Sequence, residues 1–394
     1  MKRQKAPIPA ITPRISPVPP IVSERSLGEQ KVIVILAQFL KSTTLPIPRE
    51  DIEEKVFKDL DAYIRKMSGG RTWLTGKVTK QWYTLPYTIG HYSISQHNVH
   101  VDPSRVTELV QHVIDAADDD VDFAQYPNVM IILCATREDY GMMGYAAYPG
   151  MLGWADQGMF ETQSGQVIEG GVAAYCQEAH LGVLLHDLLH IIGGVVGDRR
   201  VVPCLYDHTL QGAQGQFRGF AQFYLIYMGY WDPMSCHFYG LQPLPPGLSS
   251  WTKLRLNWID PSKIVTVNPG ETAKILLDPL EREESETQVI KIPLSQMTYY
   301  LVENRQPIGY DRNLPGHGVL ILYVDDTISE CWPVCHSPVK VVDANPEVEE
   351  LQGAAFGTEE GQRTTFTDAE RNVTIQLLEN SGESYWILIT TASE

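Results

Sequence analysis

Two histidines four residues apart are the side chains of this sequence best suited to hold a metal ion. His186 and His190 lie in the segment LLHDLLHIIGG at residues 184–194. In an α-helix, residues i and i+4 project from the same face, so both imidazoles could reach one ion. His186, Asp187 and His190 are the only polar side chains of residues 181–192, and burying each without a partner costs about 2 kcal/mol or more. A metal would satisfy both imidazoles; the alternative is two core histidines bonded to backbone carbonyls.

The residue after the first histidine is one methylene shorter than the helical zinc-binding signature H-E-x-x-H requires. In that signature the Glu is the general base of a metalloprotease, and here Asp187 takes its place. The carboxylate therefore falls back by about 1.5 Å, one carbon–carbon bond, and a misplacement of about 1 Å can cost about 100-fold in rate. Because a general base can act through one water, Asp187 predicts weak catalysis. The alternative is a carboxylate with no catalytic duty.

Alternating strands and helices are expected to position the histidine pair. The apolar patterns predict strands at residues 31–39, 78–85 and 129–134 and helices at 51–67, 104–117 and 173–192. The last of these helices carries both histidines and ends at Gly193 and Gly194, as glycines commonly end helices. Such alternation is typical of a mixed α/β layer.

The composition and the apolar pattern of the sequence change at both ends of this region. Six prolines in the first thirty residues predict an extended arm at 1–30. Beyond Asp260, short apolar runs separated by Pro, Gly and Asn predict an all-β, sandwich-like domain at 261–394. The sequence therefore predicts an α+β (mixed α/β) domain at 31–260 followed by a β-sandwich-like domain.

Composition and charge exclude several classes of partner. The net charge is −17 over 394 residues and no basic patch is present, so nucleic acid is not expected to bind. No apolar run reaches the roughly 18 residues of a membrane span, and the N-terminus lacks the apolar region of a signal peptide. Six cysteines are too few for a disulfide framework at this length. Cys331 and Cys335, close together in CWPVC, either pair or stay reduced.

Four segments resemble those of one known family. They are RKMSGGRTWLTGKVTKQWYTLP at 65–86, GYWDPMS at 229–235, GLSSWTK through LNWID at 247–260, and YYLVENRQPIGYDRNLPGHGVLILYVDD at 299–326. In this order they are similar to segments of the immune inhibitor A-like metallopeptidases, which are secreted bacterial and archaeal zincins. The resemblance implies a zincin-like catalytic domain, zinc as cofactor, hydrolysis of peptide bonds in a peptide or protein substrate, and an extracellular location.

The same resemblance implies roles for individual residues. The family pattern H-E-x-x-H-x-x-G-x-x-D makes His186 and His190 zinc ligands and Gly193 the turn glycine, and the Met-turn residue beneath the zinc becomes Met234. Asp187 stands at the position of the catalytic Glu. The third-ligand Asp is replaced by Cys204, which follows an insertion of eight residues.

Several functions of Cys204 are consistent with the sequence. As a thiolate it would complete a His-His-Cys site with one open position, which suits Zn²⁺. It could instead form a disulfide with Cys236, or be a buried apolar side chain. The alternative third ligands are Asp198, His208 and His237. The acidic run at 118–122 could hold Ca²⁺, although a solvated charge run is the alternative.

Two functions from different classes follow. The first is a zinc-dependent endopeptidase attenuated by Asp187. The second is a catalytically inactive pseudoprotease whose scaffold serves binding or assembly, because both the base Glu and the ligand Asp are replaced. A structural or surface-layer role is a third possibility, for which the sequence offers only the arm and the β-domain.

Overall fold

A five-stranded mixed sheet forms the scaffold of the first half of the computed structural model, which describes residues 21–92, 103–136, 139, 144–148, 160–197, 199–207, 225–236, 244–331 and 336–392. Its strands are β1 (Gly28–Gln38), β2 (Thr72–Thr84), β3 (Asn128–Leu133), β4 (Gly144–Tyr148) and β5 (Gly171–Cys176). The order is β2-β1-β3-β5-β4. The strands β2, β1, β3 and β5 are parallel to one another. The strand β4 lies at the edge of the sheet and pairs with β5 in the antiparallel direction.

Helices pack on this sheet. They are α1 (Arg49–Glu54), which continues through a π-helical segment (Lys55–Leu60) into α2 (Asp61–Met67), then α3 (Pro103–Ala117) and α4 (Leu181–Gly193). The helix α5 (Ser250–Arg255) packs instead against a strand of the second half of the chain. Short 3-10 helices occupy Ile89–Tyr92, Phe123–Gln125, Gly229–Trp231, Pro261–Lys263, Gly309–Asn313 and Glu349–Leu351. The chain thus has the mixed helix and strand content that the sequence predicted.

One predicted element is wrong. The helix expected at 173–192 begins only at Leu181, and residues 171–176 form the strand β5 instead. Every residue of β5 is buried and pairs in parallel with β3. A continuous apolar run fits a fully buried strand and a buried helix equally well, so the pattern did not separate the two. In addition, β2 begins six residues before the predicted start at residue 78.

The second half of the chain is built of strands, as predicted. After the small hairpin of β6 (Val195–Val196) and β7 (Arg199–Arg200), they are β8 (Ile264–Thr266), β9 (Thr272–Leu277), β10 (Val289–Pro293), β11 (Thr298–Arg305), β12 (Gly318–Asp325), β13 (Val339–Val341), β14 (Thr365–Asp368), β15 (Val373–Ser381) and β16 (Ser384–Thr391). They form a five-stranded sheet, β13-β12-β11-β10-β8, and a four-stranded sheet, β14-β15-β16-β9.

The five-stranded C-terminal sheet is apolar on both faces. Alternate residues of its strands point to opposite sides. Leu301 and Leu322 belong to the hydrophobic core that includes the N-terminal sheet and helices, whereas Val302 and Ile321 belong to the core shared with the four-stranded sheet. The domain boundary near residue 260 remains a prediction, and the first of these hydrophobic cores extends across it.

Residues 21–27 lie against the folded part of the chain. Ser23 Oγ donates to Ile192 O at the end of α4 (3.2 Å), and Ser26 Oγ donates to Leu256 O (2.6 Å). The strand β1 then starts at Gly28. The last ten residues of the predicted arm at 1–30 are therefore packed, and its residues 1–20 lie outside the described residues.

Within the described ranges, no helix is long and apolar enough to cross a membrane.

Candidate metal centre

Three side chains from two parts of the chain converge on one point. One ligand atom from each of His186, His190 and Cys204 lies within 4.8 Å of the other two. The Sγ atom of Cys204 is 3.6 Å from Nε2 of His186 and 3.4 Å from Nε2 of His190. All three residues are buried. The structure thus brings together the predicted histidine pair and the residue at the third-ligand position.

Helix α4 presents both imidazoles toward Cys204 because backbone carbonyls hold their other nitrogens. Nδ1 of His186 lies 3.0 Å from Pro233 O, and Nδ1 of His190 lies 2.6 Å from Val202 O. A carbonyl only accepts, so each Nδ1 carries the proton and donates it, and each Nε2 has a lone pair available. This arrangement fixes the tautomer and ring orientation that a metal-binding histidine needs.

Gly193 allows the third-ligand segment to approach the helix. A Cβ atom at this position would lie 2.9 Å from Cγ2 of Val202. Since Val202 O is the acceptor for His190, a side chain at Gly193 would push that carbonyl away. The turn glycine predicted from the family pattern thus has a physical reason in the packing.

Cys204 is a thiol in this structure. The predicted alternative of a disulfide with Cys236 is wrong, because both residues are buried and reduced; the Sγ of Cys204 is directed at the imidazoles instead. Cys331 is also reduced and donates from Sγ to Cys204 O over 3.3 Å. The alternative disulfide within CWPVC is therefore not formed, and Cys335 itself lies outside the described residues.

The distances fit a tetrahedral zinc site. With Zn–S of about 2.3 Å and Zn–N of about 2.0–2.1 Å, a tetrahedral angle gives an S–N separation of about 3.6 Å. The observed separations are 3.6 and 3.4 Å. Moreover, the single S–H proton of Cys204 can be donated to only one of the two Nε2 atoms, whereas one cation serves all three donor atoms. The donor set therefore suits a metal ion with one open coordination position.

The protonation of the two histidines differs. Burial lowers the pKa of His190 to about 4, so its imidazole is neutral at neutral pH, as a metal ligand must be. Burial acts the same way on His186, but the hydrogen bond and charge of Cys204, the charge of Asp187 and the hydrogen bond to Pro233 O together raise the pKa of that imidazole.

Asp187 lies beside the ligands, inside the protein. Its residue is 7% exposed, and within the described part of the chain its Oδ2 has no hydrogen-bond partner. Burial raises its pKa to about 7, while the positive charges of His186 and Arg200 act in the opposite direction. The predicted weak base is therefore a buried carboxyl that is about half protonated at neutral pH.

Met234 lies in a turn that supports the site from below. Its side chain is fully buried, its backbone N–H donates to Asp232 Oδ1 (2.7 Å), and its carbonyl accepts from Leu205 N (2.8 Å). The turn thus holds Pro233 O against His186 and supports the chain next to Cys204.

Three other groups at the site were not predicted from the sequence. The carbonyls of Pro233 and Val202 leave no trace in residue types. Arg200, buried in an ion pair with Glu330 (2.9 Å), acts on the charge of Asp187. Its only signal was the paired arginines at the end of the eight-residue insertion.

The alternative third ligands Asp198, His208 and His237 lie outside the described residues. In the acidic run, Asp118 accepts from the backbone and side chain of Ser164 (2.7 and 2.8 Å), and Asp120 accepts from Tyr83. Among described residues, the His-His-Cys cluster is the one group able to hold a metal, so no calcium site is found there.

Comparison with models of known protein families gives no match, and neither does comparison with curated proteins.

Proposed function

We propose that this chain is a zinc-dependent metallopeptidase-like protein whose hydrolysis of peptide bonds is attenuated by Asp187. The observation that carries the proposal is the convergence of three buried donor atoms: Sγ of Cys204 lies 3.6 and 3.4 Å from the two Nε2 atoms, and both Nδ1 atoms are bonded to carbonyls. The resemblance of four sequence segments to immune inhibitor A-like metallopeptidases supports a zincin-like domain around this centre.

The residues of the site would divide the work of hydrolysis. His186, His190 and Cys204 would hold the ion. Bound zinc supplies a Lewis acid that polarises the peptide carbonyl and lowers the pKa of water at the open position. Asp187 would accept a proton at Oδ2, the atom without a partner among described residues. Since its carboxylate is about 1.5 Å shorter in reach than that of Glu, transfer requires an intervening water.

A pseudoprotease is the second candidate function, favoured by the burial of Asp187. A base is most effective when it is ionised and within reach of the proton it accepts. Burial instead raises the pKa of Asp187 to about 7. In this alternative the centre binds metal or a peptide without turnover.

Zinc content tests the metal centre. The purified chain should contain about one zinc per molecule by plasma mass spectrometry. The variants H190A and C204A should lose affinity by more than the roughly 10- to 100-fold typical of an outer partner. The exposed His317 (41% exposed) provides the control H317A, which should keep the metal. Zinc-free wild-type protein, or full zinc in C204A, would contradict the three-ligand centre.

Restoring the longer carboxylate tests catalysis. D187E should raise the rate of cleavage of an unfolded protein substrate by about 100-fold, the cost assigned to a misplaced group, and D187N should abolish the residual rate. Zinc content measured in parallel ensures that the variants differ in catalysis alone. If D187E keeps its zinc and cleaves nothing, the pseudoprotease is the correct function.

A further inference from the structure

A cavity of about 820 Å³ opens between three loops in the second half of the chain. The loops are residues 315–317, which precede β12, residues 344–353, which follow β13, and residues 355–363, which precede β14. The volume is within the range of about 300–1,000 Å³ that is typical of small-molecule sites. The ligands of the metal centre do not line this cavity, so it is a separate site.

Hydrogen bonds to the body of the protein hold the middle loop in place. Glu350 and Leu351 have φ angles of 62° and 57°, a conformation that residues with a side chain rarely adopt. Tyr230 Oη donates to Glu350 Oε2 (3.0 Å), and Trp231 Nε1 donates to Leu351 O (2.8 Å). These bonds keep the unusual backbone conformation, so this wall of the cavity is formed before a ligand binds.

The third loop is closed by hydrogen bonds within itself. Gly357 N donates to Arg363 O (3.1 Å), and Glu359 N donates to Gln362 Oε1 (3.1 Å). A side chain at Gly357 would clash with the carboxamide of Gln362. Because both loops are held by such bonds, a ligand spends little of its binding free energy on ordering the protein.

Two side chains of opposite charge line the cavity. Arg363 and Glu347 are exposed there, and within the described part of the chain neither side chain forms an ion pair or a hydrogen bond. His317 also lines the cavity, but its Nε2 lies 3.4 Å from Glu359 Oε1, and we assign it no ligand contact. A ligand that uses both free charges must carry one charge of each sign.

The rest of the lining is made of carboxamides and small apolar groups. Asn345 and Gln362 each present donors and an acceptor, which complement the N–H and C=O of a peptide group. Pro315, Pro346 and Ala355 supply apolar surface. This described lining contains no aromatic ring, on which a nucleobase would stack. The chemistry therefore favours a peptide over a nucleotide.

We propose that this cavity binds a short peptide that carries charges of both signs, with its carboxylate on Arg363 and its ammonium group on Glu347. A guanidinium binds a carboxylate through two parallel N–H···O bonds, and the carboxylate of Glu347 accepts from an ammonium group. The two charges come either from the termini of the peptide or from acidic and basic side chains, since the same groups recognise both. Such binding does not require the metal centre.

Calorimetric titration of the full chain, stripped of metal by a chelator, measures this binding apart from the metal centre. Three probes are used: tetra-alanine with free termini, the peptide Lys-Ala-Ala-Asp capped at both ends, and tetra-alanine capped at both ends, which is neutral. At least one doubly charged probe should bind about 10- to 100-fold more tightly than the neutral probe, the range expected for hydrogen bonds to charged groups. Which of the two binds more tightly identifies the source of the charges.

Variants assign the preference to the two charged side chains. R363Q and E347Q should each reduce it by about 10-fold. The matched controls are R312Q and E360Q, at an exposed arginine and an exposed glutamate outside the lining, and both should bind as the wild type does. Thermal melts of all variants check folding. Should R363Q melt early, R363K keeps the charge without the planar fork and should still reduce the preference.

Three results would overturn the proposal: equal affinity for all three probes, no binding of either doubly charged probe at millimolar concentration, or a preference that R363Q and E347Q leave unchanged. Tighter binding of maltotriose, a neutral trisaccharide, than of every peptide would also overturn it. Failure of the proposed function is recognised separately, because a chain without zinc that keeps the preference contradicts the metallopeptidase and leaves the peptide site intact.

Discussion

Glu281 is a single carboxyl that shapes two backbone segments around it. Its Oε2 accepts from Tyr310 N (3.0 Å). A Cβ atom at Gly247 would lie 2.2 Å from Oε1, and one at Gly309 would lie 2.1 Å from Oε2. Both glycines are therefore required by the same carboxyl. Burial, and next the neighbouring charge of Asp311, raise the pKa of Glu281 to about 8.

This pKa predicts how stability changes with pH. Because the folded pKa of Glu281 is above the ordinary value of 4.5 for a Glu carboxyl, folding takes up a proton, and the contribution of Glu281 to stability is full below pH 4.5 and lost as pH rises through about 8. The free energy of unfolding of the wild type should therefore fall relative to E281Q between pH 5 and pH 8. Urea denaturation of both proteins across this range measures the difference.

A rise in the stability of the wild type relative to E281Q with increasing pH would indicate an ion pair of Glu281. Lys253, whose pKa is lowered chiefly by its own burial, feels the charge of Glu281. If the two form an ion pair at neutral pH, the wild type gains stability relative to E281Q as pH rises. E283Q, at an exposed carboxylate (70% exposed), is the control and should follow the wild type.

The sequence pointed to the three residues that the structure brings together and missed the groups that hold them in place. Spacing alone placed His186 and His190 on one helix face, and the family pattern pointed to Cys204. The carbonyls of Val202 and Pro233 could not be predicted, because any residue type supplies a carbonyl.

Among the elements, the turn at residues 232–236 carries the largest share of the site's support. Asp232 Oδ2 accepts from Ser249 N (2.9 Å), Ser249 Oγ (2.5 Å) and Thr252 Oγ1 (2.7 Å), while Oδ1 holds Met234 N (2.7 Å). One carboxylate thus joins the turn at residues 232–236 to the start of α5. The carbonyl that orients His186 belongs to Pro233, the residue between.

Removing this carboxylate should destabilise the protein and loosen the metal. D232A leaves four buried donors without their acceptor, and hydrogen bonds to a charged group are worth about 1.5–3 kcal/mol each, so we expect a loss of at least about 3 kcal/mol. Urea denaturation and zinc content measure the two effects. The control is D260A at the exposed cap of a 3-10 helix, expected to cost about 1 kcal/mol and no zinc. Equal losses of stability and of zinc in D232A and D260A would show that the turn does not support the site.

The apolar periodicity of the sequence predicted a helix correctly where that helix has one polar face. The helix α3 was predicted to within one residue of its start. The pattern failed at 171–176, because a strand buried on both faces has no alternation to distinguish it from a buried helix. Gly170 gives one later clue: a Cβ there would lie 2.0 Å from Pro127 O, so the chain must pass close to the start of β3.

For the molecule as a whole, one hydrophobic core extends across residue 260, where the apolar pattern of the sequence changes. The same core contains Leu184 of α4 and Leu322 of β12. Arg255 of α5 is joined to Asp326 at the end of β12 by a buried ion pair of 2.6 Å, with 1% and 0% of the side chains exposed. Apolar and ionic contacts thus both link the two halves.

We therefore expect one cooperative unfolding transition. Far-ultraviolet circular dichroism and tryptophan fluorescence should give the same urea midpoint. R255A should move this single transition by about 3–5 kcal/mol, the cost of breaking a buried pair. K58A, at a pair with Glu54 in which both side chains are exposed (70% and 58%), should move it by less than about 1 kcal/mol. Two separate transitions would instead support independent domains divided near residue 260.

The π-helical segment between α1 and α2 determines which side chains of the continuous helix at residues 49–67 face the protein interior. Ile52, Val56, Leu60 and Ile64 are all buried and spaced by four. In a regular α-helix each step of four turns the side chain by about 40°, so three steps would carry the row about 120° around the axis. The wider π turn offsets this drift. Deleting one residue from Lys55–Leu60 would regularise the helix and rotate everything before the deletion by about 100°, turning Ile52 away from the sheet.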